Sequence, residues 1–201
     1  LAYMTADVGA HHNRAWVLGH DVAGAWTSVH DLIASGSGDE AQPKAVVSDR
    51  SAEYVIASQH TRSLFDALGN CRLQMMELGF EEEHYAELYS LITGRTKSWP
   101  DLLKISERIW QLTRAFSVRE ISGFGRHLDF PPARLYEEPI ADGPNQGHVI
   151  AKEDINKLLT WYYSARGWNE NGIPTRETLI SAGLAEVVEE FENRGLLKAD
   201  G

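Results

Sequence analysis

Cysteine is nearly absent from this chain: among 201 residues there is one, Cys71. A single cysteine cannot form an internal disulfide, which excludes a secreted disulfide scaffold and favours a reducing cytoplasm. Basic residues are also few, because 19 Lys and Arg stand against 29 Asp and Glu and give a net charge of -10. A surface of that sign repels phosphate backbones and anionic lipids, so neither nucleic acid nor membrane is an expected partner.

Several familiar sequence signals are missing as well. No apolar run approaches the roughly 20 residues that span a bilayer. The first residues, Leu1 to Asp7, lack the basic and apolar regions of a signal peptide and lack an initiator methionine, so we expect a piece of a larger protein. A phosphate-binding glycine loop, a dinucleotide fingerprint, a zinc-binding His-Glu-x-x-His helix and a Gly-x-Ser-x-Gly elbow are all absent. Conventional hydrolase and nucleotide-binding functions therefore find no support.

Helical periodicity is the strongest pattern that is present. Apolar residues recur at spacings of three and four in stripes that begin at Tyr54, Tyr85, Leu102, Ile155 and Val187. The stripe of the third helix consists of Leu102, Ile105, Ile109, Leu112 and Phe116, and that of the second consists of Tyr85, Leu88, Leu91 and Ile92. The sequence predicts an all-α, multihelical domain over 1–201.

Two segments do not fit the helical pattern. Residues 35–43 are rich in Gly and Ser, and residues 121–150 contain four Pro and four Gly, so both are predicted to be long irregular loops. A loop as long as the second usually serves a site or wraps another element. The run Ala45-Val-Val47 is the sole short strand candidate.

The end of the first long helix is the first place that could carry chemistry. In Asp66-Ala-Leu-Gly-Asn-Cys71, Gly69 can adopt the left-handed conformation that ends a helix and turns the chain. Asp66 and Cys71 would then meet at one corner, where a carboxylate can accept N–H groups of a heterocycle and a thiolate can bind iron. The alternative is that Cys71 is a small buried hydrophobe, as lone cysteines often are.

The second place is the adjacent histidine pair, His11 and His12, followed by Arg14. A neutral imidazole there could donate or accept a proton near pH 7. The alternative is a pair of hydrogen-bonded loop histidines without chemistry. The segment Arg166–Thr175 shows no chemistry by itself, and its glycines and Thr175 suggest turns and a helix cap.

Taken in order, these segments resemble the C-terminal part of the aldehyde:ferredoxin oxidoreductase family of tungsten- or molybdenum-pterin enzymes. Residues 9–15 are similar to a Gly-Ala-x-His-x-Arg-Ala stretch, and residues 66–71 to an Asp-x-x-Gly-x-Cys motif. Residues 107–120 are similar to Glu-Arg-Ile-Trp-Asn-Leu-Glu-Arg-x-Phe-Asn-x-Arg-Glu, while 135–139 and 162–175 follow in the expected order.

The resemblance implies roles for four residues. Asp66 would hydrogen-bond a pterin, with Gly69 as part of the same cofactor-binding motif. Cys71 would be one of the four thiolates of a [4Fe-4S] cluster. His12 would be the active-site histidine that transfers a proton, with His11 as the alternate if the register shifts by one. The other three thiolates would lie in a Cys-x-x-Cys-x(3)-Cys stretch that this chain lacks.

The implied function is that of a domain within a larger enzyme. The complete protein would oxidise a small aldehyde to a carboxylic acid at a tungstopterin or molybdopterin centre and pass electrons through the cluster to ferredoxin. Its partner would be the missing N-terminal cofactor-binding domain, and the isolated chain is expected to be inactive and without metal. A reductase of an aromatic thioester is a related possibility. The alternative class is a non-catalytic helical binding or scaffold domain.

Overall fold

Helices dominate the computed structural model of the chain, which describes residues 1–17, 49–71 and 82–197. The α-helices in those ranges are α1 (Asp49–Leu68), α2 (Glu82–Thr93), α3 (Trp99–Glu120), α4 (Arg134–Glu137), α5 (Lys152–Arg166), α6 (Arg176–Ser181) and α7 (Ala185–Asn193). Two 3₁₀ turns, His12–Arg14 and Arg126–Asp129, complete the regular structure of the described ranges, which contain isolated β-bridges but no strand. The all-α prediction is confirmed.

Local sequence signals place the ends of the long helices. At the start of α3 the Ser98 hydroxyl accepts a hydrogen bond from the Asp101 amide, and the Asp101 carboxylate accepts one from the Ser98 amide. This reciprocal pair forms a capping box, and Pro100 stands in the first turn. At the end of α5, Gly167 adopts a φ of +66° and closes the helix in the left-handed conformation.

Three apolar clusters hold the helices together. The first joins α1 to α5 and Trp168, the second joins the end of α3 to α6 and α7, and the third joins α1, α2 and the start of α3. Fully buried members include Leu64, Leu102, Leu159, Tyr162 and Leu179. Helix α1 packs against both α3 and α5, and Leu64 near its C-terminal end belongs to the third cluster.

The buried face of α3 differs from the apolar stripe that the sequence indicates. Leu102 is buried, but Ile105, Leu112 and Phe116 are 37%, 48% and 56% exposed. The face in the core carries Leu102, Ser106, Trp110, Gln111, Ala115 and Val118. The polar side chains of Ser106 and Gln111 are tolerated in the core because each donates a hydrogen bond to a backbone carbonyl of another helix. On α2, likewise, Tyr85 is buried whereas Leu91 and Ile92 are exposed.

The second predicted loop is mostly irregular, as expected, with two short helical segments inside it. Arg126–Asp129 and α4 interrupt residues 121–150, and Ile140 exchanges backbone hydrogen bonds with Gly147 and His148. The predicted loop at 35–43 and the strand candidate at 45–47 lie outside the described residues. None of the helices in the described ranges is long and apolar enough to cross a membrane.

Candidate functional site

The C-terminal end of α1 brings Asp66, Gly69 and Cys71 to one exposed corner. The Gly69 amide donates to the Asp66 carbonyl at 3.2 Å, and the Asn70 amide donates to the Phe65 carbonyl at 2.9 Å. Gly69 has a φ of +70°, so the chain turns sharply and Cys71 follows directly after the bend. Cys71 is exposed, and the Asp66 side chain is 41% exposed. The interpretation of Cys71 as a buried hydrophobe is therefore wrong.

The corner fits a prosthetic group that approaches from outside the domain. Among the described residues, no atom lies within 4 Å of the position that a Cβ atom on Gly69 would take, so these residues leave space beside the backbone at the bend. The thiol of Cys71 is of the kind that binds iron as a thiolate, and the carboxylate of Asp66 is of the kind that accepts hydrogen bonds from the N–H groups of a heterocycle. Cys71 supplies one thiolate, and within the described ranges no group of three or more His, Cys, Asp or Glu side chains could hold a metal ion.

The two candidate histidines have different surroundings. The Nδ1 atom of His11 accepts a hydrogen bond from the Asn13 amide at 3.1 Å and so caps the 3₁₀ turn His12–Arg14. The His12 ring stacks on the His11 ring, with centroids 5.2 Å apart and planes 2° apart, and lies 5.2 Å from the Trp16 ring. Both side chains are exposed. His11 thus has a structural task at Nδ1 that His12 does not share.

Arg14 joins the histidine segment to the corner at the end of α1. Its Nε and Nη2 atoms donate to both carboxylate oxygens of Asp7, at 2.6 and 2.5 Å. Its Nη1 atom donates to the Asp66 Oδ2 atom at 2.8 Å. The sequence placed Arg14 beside the histidines but gave no sign that it reaches Asp66, because the two residues are 52 positions apart.

A cavity of about 320 Å³ lies beside the histidine segment. Its walls come from residues 3–7, 9 and 10, from α3, from Trp168 and from the loop that follows α3. Most lining side chains are apolar, among them Trp110, Phe124, Leu128, Phe130 and Trp168. A cavity of this size with apolar walls and few polar groups is typical of small-molecule sites.

The loop wall of the cavity is anchored by Asp129. Arg114 donates from two nitrogens to the two oxygens of this carboxylate, at 3.0 and 2.5 Å, and the Tyr163 hydroxyl also donates to it. Burial and the charge of Asp129 raise the pKa of Tyr163 well above its usual value, so this hydroxyl remains a donor at all physiological pH values. The predicted loop over 121–150 therefore serves as a wall of this cavity.

Behind the cavity, a buried hydrogen-bond network connects α1, α3 and α5. Arg166 donates to Gln59 at 2.8 Å and to Glu107, while Tyr162 donates to the same Gln59 oxygen at 2.7 Å. Gln59 in turn donates to the Thr5 hydroxyl at 3.2 Å, which ties the N-terminal segment to the core. Although burial opposes its charge, hydrogen bonding with His60 and the charge of Arg166 lower the pKa of Glu107 to about 2.

Sequence reasoning missed this network. It found no chemistry in residues 166–175, and these residues supply Arg166 and the indole of Trp168, which donates to Gln111 at 2.8 Å. An arginine in the last turn of an apolar helix was the available signal, but its burial depends on Gln59 and Glu107 of other helices.

Comparison with known proteins gives a consistent result. The family model for aldehyde ferredoxin oxidoreductase, domains 2 & 3, matches residues 1–184. The tungsten-containing aldehyde ferredoxin oxidoreductase of Pyrococcus abyssi is 31% identical over 191 residues, which cover 94% of this chain and 28% of that protein. The protein of the same name from Thermococcus kodakarensis is 36% identical over 189 residues, which cover 92% of this chain and 28% of that protein.

A solved structure also matches most of this chain. The active site complex BamBC of benzoyl coenzyme A reductase, in complex with 1,5 dienoyl-CoA, matches with a TM-score of 0.65 and 29% identity over 82% of this chain and 24% of that chain. This chain spans about 28% of the length of the two curated relatives.

Proposed function

Because this chain belongs to the aldehyde ferredoxin oxidoreductase family, we propose that it is the C-terminal helical domain, residues 1–201, of a tungstopterin or molybdopterin oxidoreductase. The complete protein acts in the cytoplasm and includes an N-terminal cofactor-binding domain. When bound, the metal-pterin and a [4Fe-4S] cluster supply the two-electron oxidation of a small aldehyde to a carboxylic acid and pass the electrons to ferredoxin.

One observation carries this proposal: Arg14 connects the segment that bears His12 directly to the corner that bears Asp66 and Cys71. In the proposed role Asp66 accepts hydrogen bonds from pterin N–H groups, with Gly69 leaving space for the approach. Cys71 supplies one thiolate to the cluster, and the other three come from outside this chain.

His12 is the proposed proton-transfer residue. The capping hydrogen bond at His11 Nδ1 supports this choice, because it commits His11 to local structure and leaves the His12 ring with no such task. A neutral His12 nitrogen would accept a proton from the substrate hydrate or return one to the substrate oxygen. The adjacent cavity supports an organic substrate, because its apolar walls suit the carbon skeleton of an aldehyde.

Two substitutions in the full-length protein test the role of His12. His12→Asn should lower the rate of aldehyde oxidation by about 100-fold, a usual loss for a proton-transfer group, with unchanged metal content. His11→Asn is the matched control, because asparagine also caps helical turns and should preserve the rate within about threefold. Full activity in the His12→Asn protein, or a wild-type protein purified without oxygen that contains neither tungsten nor molybdenum, would overturn the proposal.

The structural match to a benzoyl coenzyme A reductase complex favours one variant of this function. The same site would then reduce an aromatic thioester, with electrons delivered through the cluster by an external low-potential electron donor. Assays of the purified full-length protein with both substrate classes distinguish the aldehyde-oxidising function from the reductase function. Reduction of an aryl thioester without oxidation of aldehydes supports the reductase.

A second class of function, a helical scaffold without redox chemistry, is favoured by the single cysteine of the chain. The coding sequence upstream of Leu1 and in adjacent genes distinguishes the two. A stretch with three cysteines in Cys-x-x-Cys-x(3)-Cys spacing supports the enzyme, and its absence from both places supports the scaffold.

A further inference from the structure

We infer that Arg14 is a positioning residue that fixes the carboxylate of Asp66 against the segment bearing His12. This inference rests on the proposed function, since it assigns Arg14 a role through the carboxylate that is proposed to hold the pterin. Arg14 itself contacts neither substrate nor cofactor in this proposal. It determines where Asp66 stands before any cofactor binds.

Arg14 makes two hydrogen bonds to Asp7 and one to Asp66. One edge of the guanidinium, Nε and Nη2, makes a two-pronged contact with Asp7 at 2.6 and 2.5 Å. The remaining nitrogen, Nη1, donates to Asp66 at 2.8 Å. A two-pronged arginine–carboxylate pair has a defined plane and direction, so the Asp7 contact fixes the orientation of the whole guanidinium. The direction of Nη1 toward Asp66 follows from that orientation.

The Asp7 side of this arrangement is anchored in the fold. The Asp7 side chain is 7% exposed and that of Arg14 is 16% exposed, against 41% for Asp66. The guanidinium also lies 5.8 Å from the centre of the Trp110 ring, and the Trp110 indole donates to the Gln59 carbonyl at 3.0 Å. Arg14 is therefore held from the interior, and Asp66 is the member of the group that faces outward.

Arginine is required for this geometry. Its planar fork can satisfy two carboxylates at once, whereas the single ammonium of lysine cannot make the two-pronged contact with Asp7 and reach Asp66 in the same direction. If Arg14 served only to provide a positive charge between Asp7 and Asp66 and so reduce their mutual repulsion, lysine would serve equally well. Substitution by lysine thus separates the effect of geometry from the effect of charge.

The test uses the full-length protein with Arg14→Gln, Arg14→Lys, Asp66→Asn and the double variant Arg14→Gln with Asp66→Asn. Pterin and metal retained per chain after extensive dialysis are measured, together with the unfolding equilibrium constant. Partners of ligating residues typically account for 10- to 100-fold in affinity, and we expect a loss in that range for Arg14→Gln and for Arg14→Lys. Arg134→Gln is the control, because Arg134 forms an exposed pair with Glu138 at 3.1 Å, and it should retain cofactor like the wild type.

The double variant distinguishes positioning from general destabilisation. If Arg14 acts through Asp66, Arg14→Gln causes no further cofactor loss once Asp66 is asparagine. Equal losses in both backgrounds, full retention in Arg14→Gln, or rescue by Arg14→Lys would overturn the inference.

Failure of the proposed function has a different signature, because the wild-type protein would then hold no pterin at all. In that case the wild type, Arg14→Gln, Asp66→Asn and the double variant still measure the coupling of Arg14 to Asp66 through their unfolding equilibrium constants. A departure from multiplicative behaviour of at least about threefold supports the fixed orientation, and multiplicative behaviour overturns it.

Discussion

Arg166 donates a hydrogen bond to Glu107 across 59 positions of sequence, and the arginine side chain of this ion pair has no exposed surface. The pair joins α5 to α3 behind the cavity, and His60 of α1 contacts the same carboxylate oxygen. Three helices therefore meet at one charge.

Removing that charge should destabilise the fold. Glu107→Gln leaves the buried guanidinium of Arg166 without its counter-ion, and breaking a buried pair in this way costs about 3 kcal/mol or more in unfolding free energy. Glu138→Gln is the control, because Glu138 pairs with Arg134 at the surface, where the side chains are 64% and 80% exposed. Denaturant unfolding that shows a loss below about 1 kcal/mol for Glu107→Gln would contradict this role.

The Glu107 carboxylate should also account for part of the loss of unfolding free energy at acidic pH. The pKa of Glu107 falls from 4.5 to about 2 on folding. Its contribution is therefore complete above pH 4.5 and is lost as the pH falls from 4.5 toward 2. We expect the wild type to lose roughly 2 kcal/mol more than Glu107→Gln over that interval, a value reduced for the partial exposure of the carboxylate. If the unfolding free energies of the two proteins fall in parallel below pH 4.5, Glu107 does not contribute to the acid sensitivity.

Two glycines with the same backbone conformation should respond differently to alanine. Gly69 and Gly167 have φ values of +70° and +66°. A Cβ on Gly69 meets no atom of the described residues within 4 Å, so Gly69→Ala should cost about 1 kcal/mol, the penalty of the left-handed conformation alone. A Cβ on Gly167 overlaps the hydroxyl of Thr178, which donates to the Gly167 carbonyl at 2.7 Å. Gly167→Ala should therefore cost at least about 2 kcal/mol more in thermal or denaturant unfolding, and equal losses would contradict the packing described here.

Cys71→Ala should separate the ligand role from a packing role. The thiol is exposed, so its removal leaves no cavity and should change the unfolding free energy of the 201-residue chain by less than about 0.5 kcal/mol. Leu64→Ala, at a residue that is 1% exposed, is the comparison and should cost about 2 to 5 kcal/mol. In the full-length protein Cys71→Ala should bleach the visible absorption of the cluster, and an unchanged spectrum would exclude Cys71 as a ligand.

The exposed stripe of α3 should make the separated chain self-associate. Leu112 and Phe116 are 48% and 56% exposed on one face of this helix, and exposed apolar patches promote association. The double substitution Leu112→Gln with Phe116→Gln should lower the sedimentation-average mass at high concentration toward 22.5 kDa, the mass of one chain. Ile180→Gln is the control, since Ile180 is 52% exposed on a separate helix, and a wild-type chain that stays monomeric throughout would refute the expectation.

Helix positions were predictable because their signals are local. The capping box of Ser98, the left-handed Gly167 and the apolar spacings each act within a few residues, and the helices follow them. The orientation of α3 was not predictable in the same way. Trp110 and Gln111 face the core because Gln59 and Arg166 of other helices supply their hydrogen-bond partners, and spacing along one helix carries no information about those partners.

In the candidate site, too, some features follow from local sequence and others depend on tertiary contacts. Asp66, Gly69 and Cys71 stand within six positions at the end of one helix, so the sequence by itself predicted that they lie close together there, and all three are exposed. The order of the motifs likewise determined the family. Only the tertiary structure decided that Arg14 reaches Asp66, that His11 is committed to a cap and that a cavity lies beside them. The contact of Arg14 with Asp66 spans 52 positions and forms because the 3₁₀ turn His12–Arg14 packs against α1. The cap of His11 spans only two positions, but it depends on the conformation that this packed turn adopts.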